Sequence, residues 1–130
     1  HMPDWKFEAT DTIADGGLHG RLIVGEKSAI SSISNSAYEL HELLAKATAT
    51  LSRDDHKVEV GVGTNVLDSP LHALEHLLKE LRSCPGSTDV QPGDVVTTGT
   101  WTDAYPVKSG ESWSASFSLP QALLTVHFED

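Results

Sequence analysis

Asp11 and Asp15 stand four residues apart just before a glycine pair, Gly16-Gly17, and an imidazole follows in Leu18-His19-Gly20. Two carboxylates and a histidine at a turn are groups that general acid–base chemistry uses, provided burial or a like charge raises a carboxyl pKa toward neutrality. The same aspartates serve as helix caps and turn formers, and the glycine pair permits positive φ or close backbone approach. Thr97-Thr98-Gly99-Thr100-Trp101-Thr102 is a second cluster, with four hydroxyls and a glycine in six residues. At a strand end such a run offers hydroxyl and backbone N–H donors to a carboxylate or enolate oxygen; taken alone it is also a plain threonine-rich turn. A third pattern, His72-Ala73-Leu74-Glu75-His76, has the His-x-x-Glu-His spacing of one class of zinc peptidases. It lacks a third ligand and flanks an apolar stripe, so it reads as the solvated face of an ordinary helix. Cys84 sits beside Pro85 with no basic neighbour or helix start to activate its thiol.

These groups need elements to hold them. Trp5 to Ala9 alternates apolar and polar residues, a short strand pattern, and Arg21-Leu22-Ile23-Val24-Gly25 reads as a buried strand. Tyr38 to Leu51 satisfies helical spacing through Leu40, Leu43, Leu44 and Ala47, and strict alternation through Leu43, Ala45, Ala47, Ala49 and Leu51. The polar turn at Ser52 to His56 and the alternation from Lys57 to Gly63 favour a hairpin, residues 43–52 against 57–63, with a helix over Tyr38 to Lys46 as the lesser alternative. Asp68 or Ser69 as cap, Pro70 in the first turn and the stripe Leu71, Leu74, Leu77, Leu78 and Leu81 predict a helix over residues 69–83. Asp94 to Thr98, Ser112 to Phe117 and Ala122 to Phe128 complete the strands, with Pro92-Gly93, Ser109-Gly110 and Leu119-Pro120 as punctuation. The sum is a strand-rich α+β fold with one main helix, forming a single domain over residues 1–130.

Composition narrows the function classes. A chain of 130 residues with 38% hydrophobic side chains can build a core without disulfides or metal staples. A formal charge of −10 argues against binding nucleic acid or an anionic membrane. No run approaches the ~18 apolar residues of a membrane span. A single cysteine permits no intramolecular disulfide, which fits a reducing compartment and a cytoplasmic location. His1-Met2 reads as a cloning remnant placed on a start methionine.

Three segments in fixed order carry a family resemblance. Asp11-Thr12-Ile13-Ala14-Asp15-Gly16-Gly17 through Leu22-Ile23-Val24-Gly25 resembles a D-x-I-A-D-N-A-S-S-G…V-L-G segment. Gly61-Val62-Gly63-Thr64-Asn65-Val66-Leu67-Asp68-Ser69-Pro70 resembles G-x-G-A-A-V-L-G-x-P. Pro92-Gly93-Asp94-Val95-Val96-Thr97-Thr98-Gly99-Thr100-Trp101-Thr102, with Pro106-Val107-Lys108-Ser109-Gly110, is similar to P-G-D-V-I-L-T-G-S-L-T…P-V-x-x-G. All three patterns are those of the 2-keto-4-pentenoate hydratase and 4-oxalocrotonate decarboxylase group of the fumarylacetoacetate hydrolase superfamily, and together they cover nearly the whole chain.

The resemblance implies a mixed β-roll and an enol–keto proton transfer on a 2-oxo acid or its dienol, leading to water addition, decarboxylation or carbon–carbon cleavage. In the family a magnesium or manganese ion held by a Glu-x-Glu pair and a further acid chelates the substrate, and a lysine and an acid stand nearby. Those residues precede the segment aligned with Trp5 to Asp15 and have no counterpart here, so the chain is expected to be the C-terminal part of the fold working without the family metal. The family's Asn and Ser positions are occupied by Gly16, Gly17, Leu18 and His19, and the glycine before the helix is Asp68. What carries over is Asp15 as a pocket acid and Thr100, with Thr98 or Thr102, as a hydroxyl contact to the substrate. The resulting expectation is a lyase, isomerase or cyclase in which Asp15 and His19 move the proton beneath a roof of Trp101 and Tyr105, the substrate being a small oxo acid. Superfamily members commonly pair, which implies a homodimer or a complex with a related chain. The alternative is a non-catalytic half-domain that acts as a binding or oligomerisation partner.

Overall fold

The computed structural model describes residues 2–130, so the reading of His1 lies outside the described residues. Four strands form one antiparallel sheet: β1 (Thr48–Arg53), β2 (His56–Val62), β3 (Ser112–Ser118) and β4 (Gln121–His127), in the order β2-β1-β3-β4. The helices are α1 (Ala9–Ala14), α2 (Ala37–Lys46) and α3 (Pro70–Ser83). This is an α+β architecture.

The longest helix falls where its sequence places it. Ser69 is the fully buried cap of α3, and its side chain accepts the Leu71 N–H at 3.3 Å while Pro70 occupies the first turn. The strands from Ser112 and from Ala122 also form, joined through Leu119-Pro120, a cis peptide bond.

Five expectations are corrected. Residues 43–46 lie in helix α2, as the lesser alternative over Tyr38 to Lys46 had it, and not in the first strand of the hairpin, which pairs only Thr48–Arg53 with His56–Val62. Ser36 decides the matter, because its hydroxyl accepts the Glu39 N–H and caps the helix. The fold therefore carries a second substantial helix beside α3. Trp5 to Ala9 is no strand: a 3-10 turn at Pro3–Trp5 leads into α1, where Asp11 Oδ2 accepts the Glu8 N–H at 2.9 Å. Arg21 to Gly25 and Asp94 to Thr98 join no ladder. Leu22, Ile23 and Val24 are 53–56% exposed, so apolar composition alone does not make a buried strand where no neighbouring strand accepts its N–H groups.

The core sits where α2 runs into β1. Leu40, Ala45, Ala47, Ala49 and Val66 are buried there around the 3-10 turn Gly63–Asn65. Gly63 belongs to this junction because a Cβ at that position would fall on the Leu44 carbonyl oxygen. At the other end of the sheet Trp113 is buried.

Strand register determines what the sheet presents to the rest of the chain. Side chains of paired residues share a face, so Gly61, Ala49, Phe117 and Ala122 make one row. Glu59, Leu51, Ala115 and Leu124 make the next row on that face. Small residues in the first row leave room for a segment to lie across the sheet.

Candidate active site

The segment from Gly99 to Tyr105 occupies that room. Gly61 is the contact point: a Cβ there would meet the Trp101 carbonyl carbon and oxygen. Asn65, in the turn after β2, donates its side-chain N–H to the same carbonyl oxygen at 2.7 Å. Further along, Glu59 Oε2 accepts the Asp103 N–H at 3.1 Å and the Tyr105 hydroxyl at 2.8 Å. The hydrogen bond to Glu59, followed by burial and the charge of Glu59, raises the Tyr105 pKa above its ordinary value, which keeps the phenol a neutral donor.

Fastened in this way, Gly99, Thr100, Trp101 and Thr102 close a cavity of about 250 Å³ over a floor of Ala49, Leu51, Ala115 and Phe117. Trp101 and Phe117 also border a second cavity of about 250 Å³, reaching Leu44, Pro70 and Leu124. The predicted contacts Thr100, Trp101 and Thr102 are thus brought together. Thr98 stands outside this lining, and Tyr105 lines a different cavity of about 420 Å³ with Trp5, Pro106 and Val107, so Trp101 and Tyr105 do not share a roof.

His19 is exposed, and its Nε2 lies 3.3 Å from the Thr97 hydroxyl. That contact ties the glycine-rich turn to the threonine segment. Asp15 is half-buried and forms the C-cap of α1. Neither residue lines the cavity beneath Thr100. Asp11, the other acid of the early pair, is committed to the start of α1 through its bond to Glu8.

Two anchors were not legible as such. Glu59 sits between Val58 and Val60, and alternation assigns the valines to the interior; the structure places Glu59 on the face that carries the threonine segment. The nearby Gly61 is the signal that could have found it, since a glycine within a strand marks a close backbone approach. Asn65 is the other anchor, standing where the resembling family pattern has alanine.

A charged network closes the far end of the same face. The Trp113 indole N–H donates to Glu111 Oε2 at 2.9 Å, the Lys108 N–H donates to the same oxygen at 3.0 Å, and Arg53 lies 3.6 Å from the other carboxylate oxygen. Led by the indole bond, these contacts hold the Glu111 carboxyl below the ordinary glutamate range. A depressed folded-state pKa gives stability that is present above the unfolded value and lost as pH falls through the folded one. Thermal unfolding followed down through about pH 4 should therefore show a declining melting temperature, and Glu111→Gln should flatten that decline. An acid limb identical in the two proteins would remove Glu111 from the account.

The chain is 30% identical over 116 residues to 2-keto-4-pentenoate hydratase 2 of Dechloromonas aromatica, covering 88% of this chain and 40% of that protein. It superposes on 4-oxalocrotonate decarboxylase from Pseudomonas putida G7, solved with magnesium and adipate, with a TM-score of 0.79 at 23% identity. That superposition covers 97% of this chain and 44% of the decarboxylase. These matches bear out the resemblance to the 2-keto-4-pentenoate hydratase and 4-oxalocrotonate decarboxylase group. A structure of the same decarboxylase with calcium and acetate matches 65% of this chain with a TM-score of 0.59 at 25% identity. No protein-family profile matches. The chain spans about two-fifths of the length of these superfamily relatives, which fits correspondence to their C-terminal part.

No Asp or Glu lines the cavity beneath Thr100. Among the described residues no three His, Cys, Asp or Glu side chains gather as a metal-binding group. A magnesium ion asks for a near-octahedral oxygen set, usually with one or two carboxylates. The residues present do not fit that ion, and no step below is routed through one. No helix among the described residues is long and apolar enough to cross a membrane.

Proposed function

We propose that this chain carries the oxo-acid-binding part of a hydratase- or decarboxylase-like lyase, in which an enolisable 2-oxo acid lies under the Thr100 to Thr102 segment. The observation that carries the reading is the cavity itself, with hydroxyls on one wall and an apolar floor, in a chain related to enzymes named hydratase and decarboxylase. An apolar floor suits a short carbon chain, while the Thr100 and Thr102 hydroxyls suit its carboxylate or oxo oxygen.

In the proposed step a base removes a proton from the carbon next to the oxo group. The C–H electron pair moves into the new carbon–carbon double bond, and the carbonyl π pair moves onto the oxygen, which Thr100 stabilises as donor. Return of the proton to another carbon completes the isomerisation that precedes water addition or loss of carbon dioxide. His19 is the proposed base, with Asp15 shaping the turn that presents it; because His19 stands outside the cavity lining, the assignment requires that turn, joined to the substrate-binding segment by the His19–Thr97 contact, to move over the cavity when substrate binds.

A second reading rests on a separate observation. Leu22, Ile23 and Val24 expose apolar side chains from a segment that joins no ladder, which favours pairing with a second copy or a related chain.

One experiment addresses both readings. Titration with 2-oxo-4-pentenoate, and with adipate as a non-reacting diacid, should change the tryptophan emission saturably through Trp101. Thr100→Val should weaken that binding by about tenfold, the worth of one hydrogen bond to a charged oxygen. Absence of any saturable response would overturn the oxo-acid reading, and a dimer by light scattering in the same samples would leave the pairing reading standing.

A further inference from the structure

The His-x-x-Glu-His segment has a different significance in three dimensions from the one its spacing suggests. His72 on α3 pairs not with His76 but with His41 on α2, their ring centres 4.4 Å apart and their planes tilted by 41°. His72 Nδ1 lies 3.1 Å from the Leu67 carbonyl oxygen. A carbonyl only accepts, so this nitrogen carries the hydrogen and Nε2 is left with its lone pair. A backbone carbonyl on one ring nitrogen is the arrangement that orients metal-binding imidazoles.

The nearby carboxylates are already engaged. Glu42, beside His41, pairs with Lys46 at 2.8 Å, and Glu75, on the helix turn after His72, pairs with Lys79 at 2.7 Å. They leave the two rings as the available donors. Two imidazoles on neighbouring positions of one tetrahedral ion, bonded at about 2.0–2.1 Å, set their ring centres about 5 Å apart; the rings stand closer than that here, at 4.4 Å, so binding would open the pair by less than about 1 Å. With no third protein ligand gathered among the described residues, water would complete the coordination.

We propose that His41 and His72 form a two-imidazole site for a first-row divalent transition ion, clamping α2 to α3. Imidazole nitrogens suit zinc, copper and nickel, unlike the hard oxygen-seeking ions. An ion that binds only the folded arrangement stabilises it by mass action. The site is separate from the Thr100 cavity and stands or falls independently of the proposed enzymatic role.

Zinc chloride titrated into metal-free protein near neutral pH, followed by calorimetry, should show one binding event, and the melting temperature should rise in parallel. His41→Gln and His72→Asn should each weaken binding by about tenfold or more, while His76→Ala and His127→Ala should leave it unchanged. In the unsubstituted protein, zinc should shift the ring proton resonances of His41 and His72 ahead of those of the other histidines, a readout that does not depend on the variants folding. Zinc binding unaffected by both substitutions, ring resonances that move elsewhere first, or no binding at all would each overturn the site.

Discussion

Gly61→Val should destabilise the fold by about 3 kcal/mol, the upper end of what overpacking typically costs, and so lower the urea midpoint of unfolding severely. The reason is the identity of the opposing atoms. A Cβ on Gly61 would collide with the carbonyl of Trp101, a backbone group that cannot rotate away as a side chain could. Either β2 parts from β1, breaking the pairing of Gly61 with Ala49, or the segment from Gly99 to Tyr105 lifts from the sheet. The second route also strains the hydrogen bond from Asn65 and the two bonds to Glu59 Oε2. Native domains hold only about 5–15 kcal/mol in reserve, so either outcome consumes a large fraction of the stability. Val60→Ala is the matched control, since Val60 is 44% exposed and should change the midpoint little. Urea titrations read by tryptophan fluorescence check both variants, and an unchanged midpoint in Gly61→Val would mean that the threonine segment does not rest on β2.

The same contact shows how far a sequence can be read. Helix α3 was legible because cap, first-turn proline and leucine stripe all point to one element, and local signals that agree leave little for tertiary context to override. The β3 and β4 hairpin was legible for the same reason, with Leu119-Pro120 marking its turn. Residues 43–46 were placed in a strand ahead of the helical alternative because alternating alanines and leucines satisfy both periods; the Ser36-x-x-Glu39 spacing was the local signal that would have settled it. Arg21 to Gly25 failed for a different reason. A strand exists only with a neighbour, and no composition states whether the neighbour is present.

Site residues divide along the same line. Thr100, Trp101 and Thr102 are contiguous, so one turn is enough to bring them to a common cavity. Glu59 and Gly61 act on that segment from far along the chain, through register between strands, and alternation within β2 cannot reveal what lies across the sheet. The proposed His41–His72 pair is of this second kind as well. Spacing within α3 pointed to His76, whereas the packing of α2 on α3 supplied His41.

His19→Ala should reduce proton exchange at the carbon beside the oxo group by about 10²–10⁴-fold, the range that a positioned general base contributes. Helix α1, which leads into the turn, should persist in such a variant, because its cap rests on Glu8 and Asp11. Circular dichroism should therefore be unchanged while turnover falls. Thr97→Val separates a chemical role from mere proximity. Its hydroxyl lies 3.3 Å from His19 Nε2, so its loss should free the ring and reduce exchange by less than removal of the imidazole does. Deuterium incorporation into 2-oxo-4-pentenoate, followed by proton NMR, reads the carbon-bound proton directly, apart from later water addition or decarboxylation. A His19→Ala protein that exchanges the proton at the unsubstituted rate would place the base elsewhere, and the half-buried Asp15 would be the next residue to replace, as Asp15→Asn. Binding of adipate should survive in both histidine and threonine variants, because neither His19 nor Thr97 lines the cavity under Thr100, so a loss of exchange with intact binding assigns the effect to proton transfer.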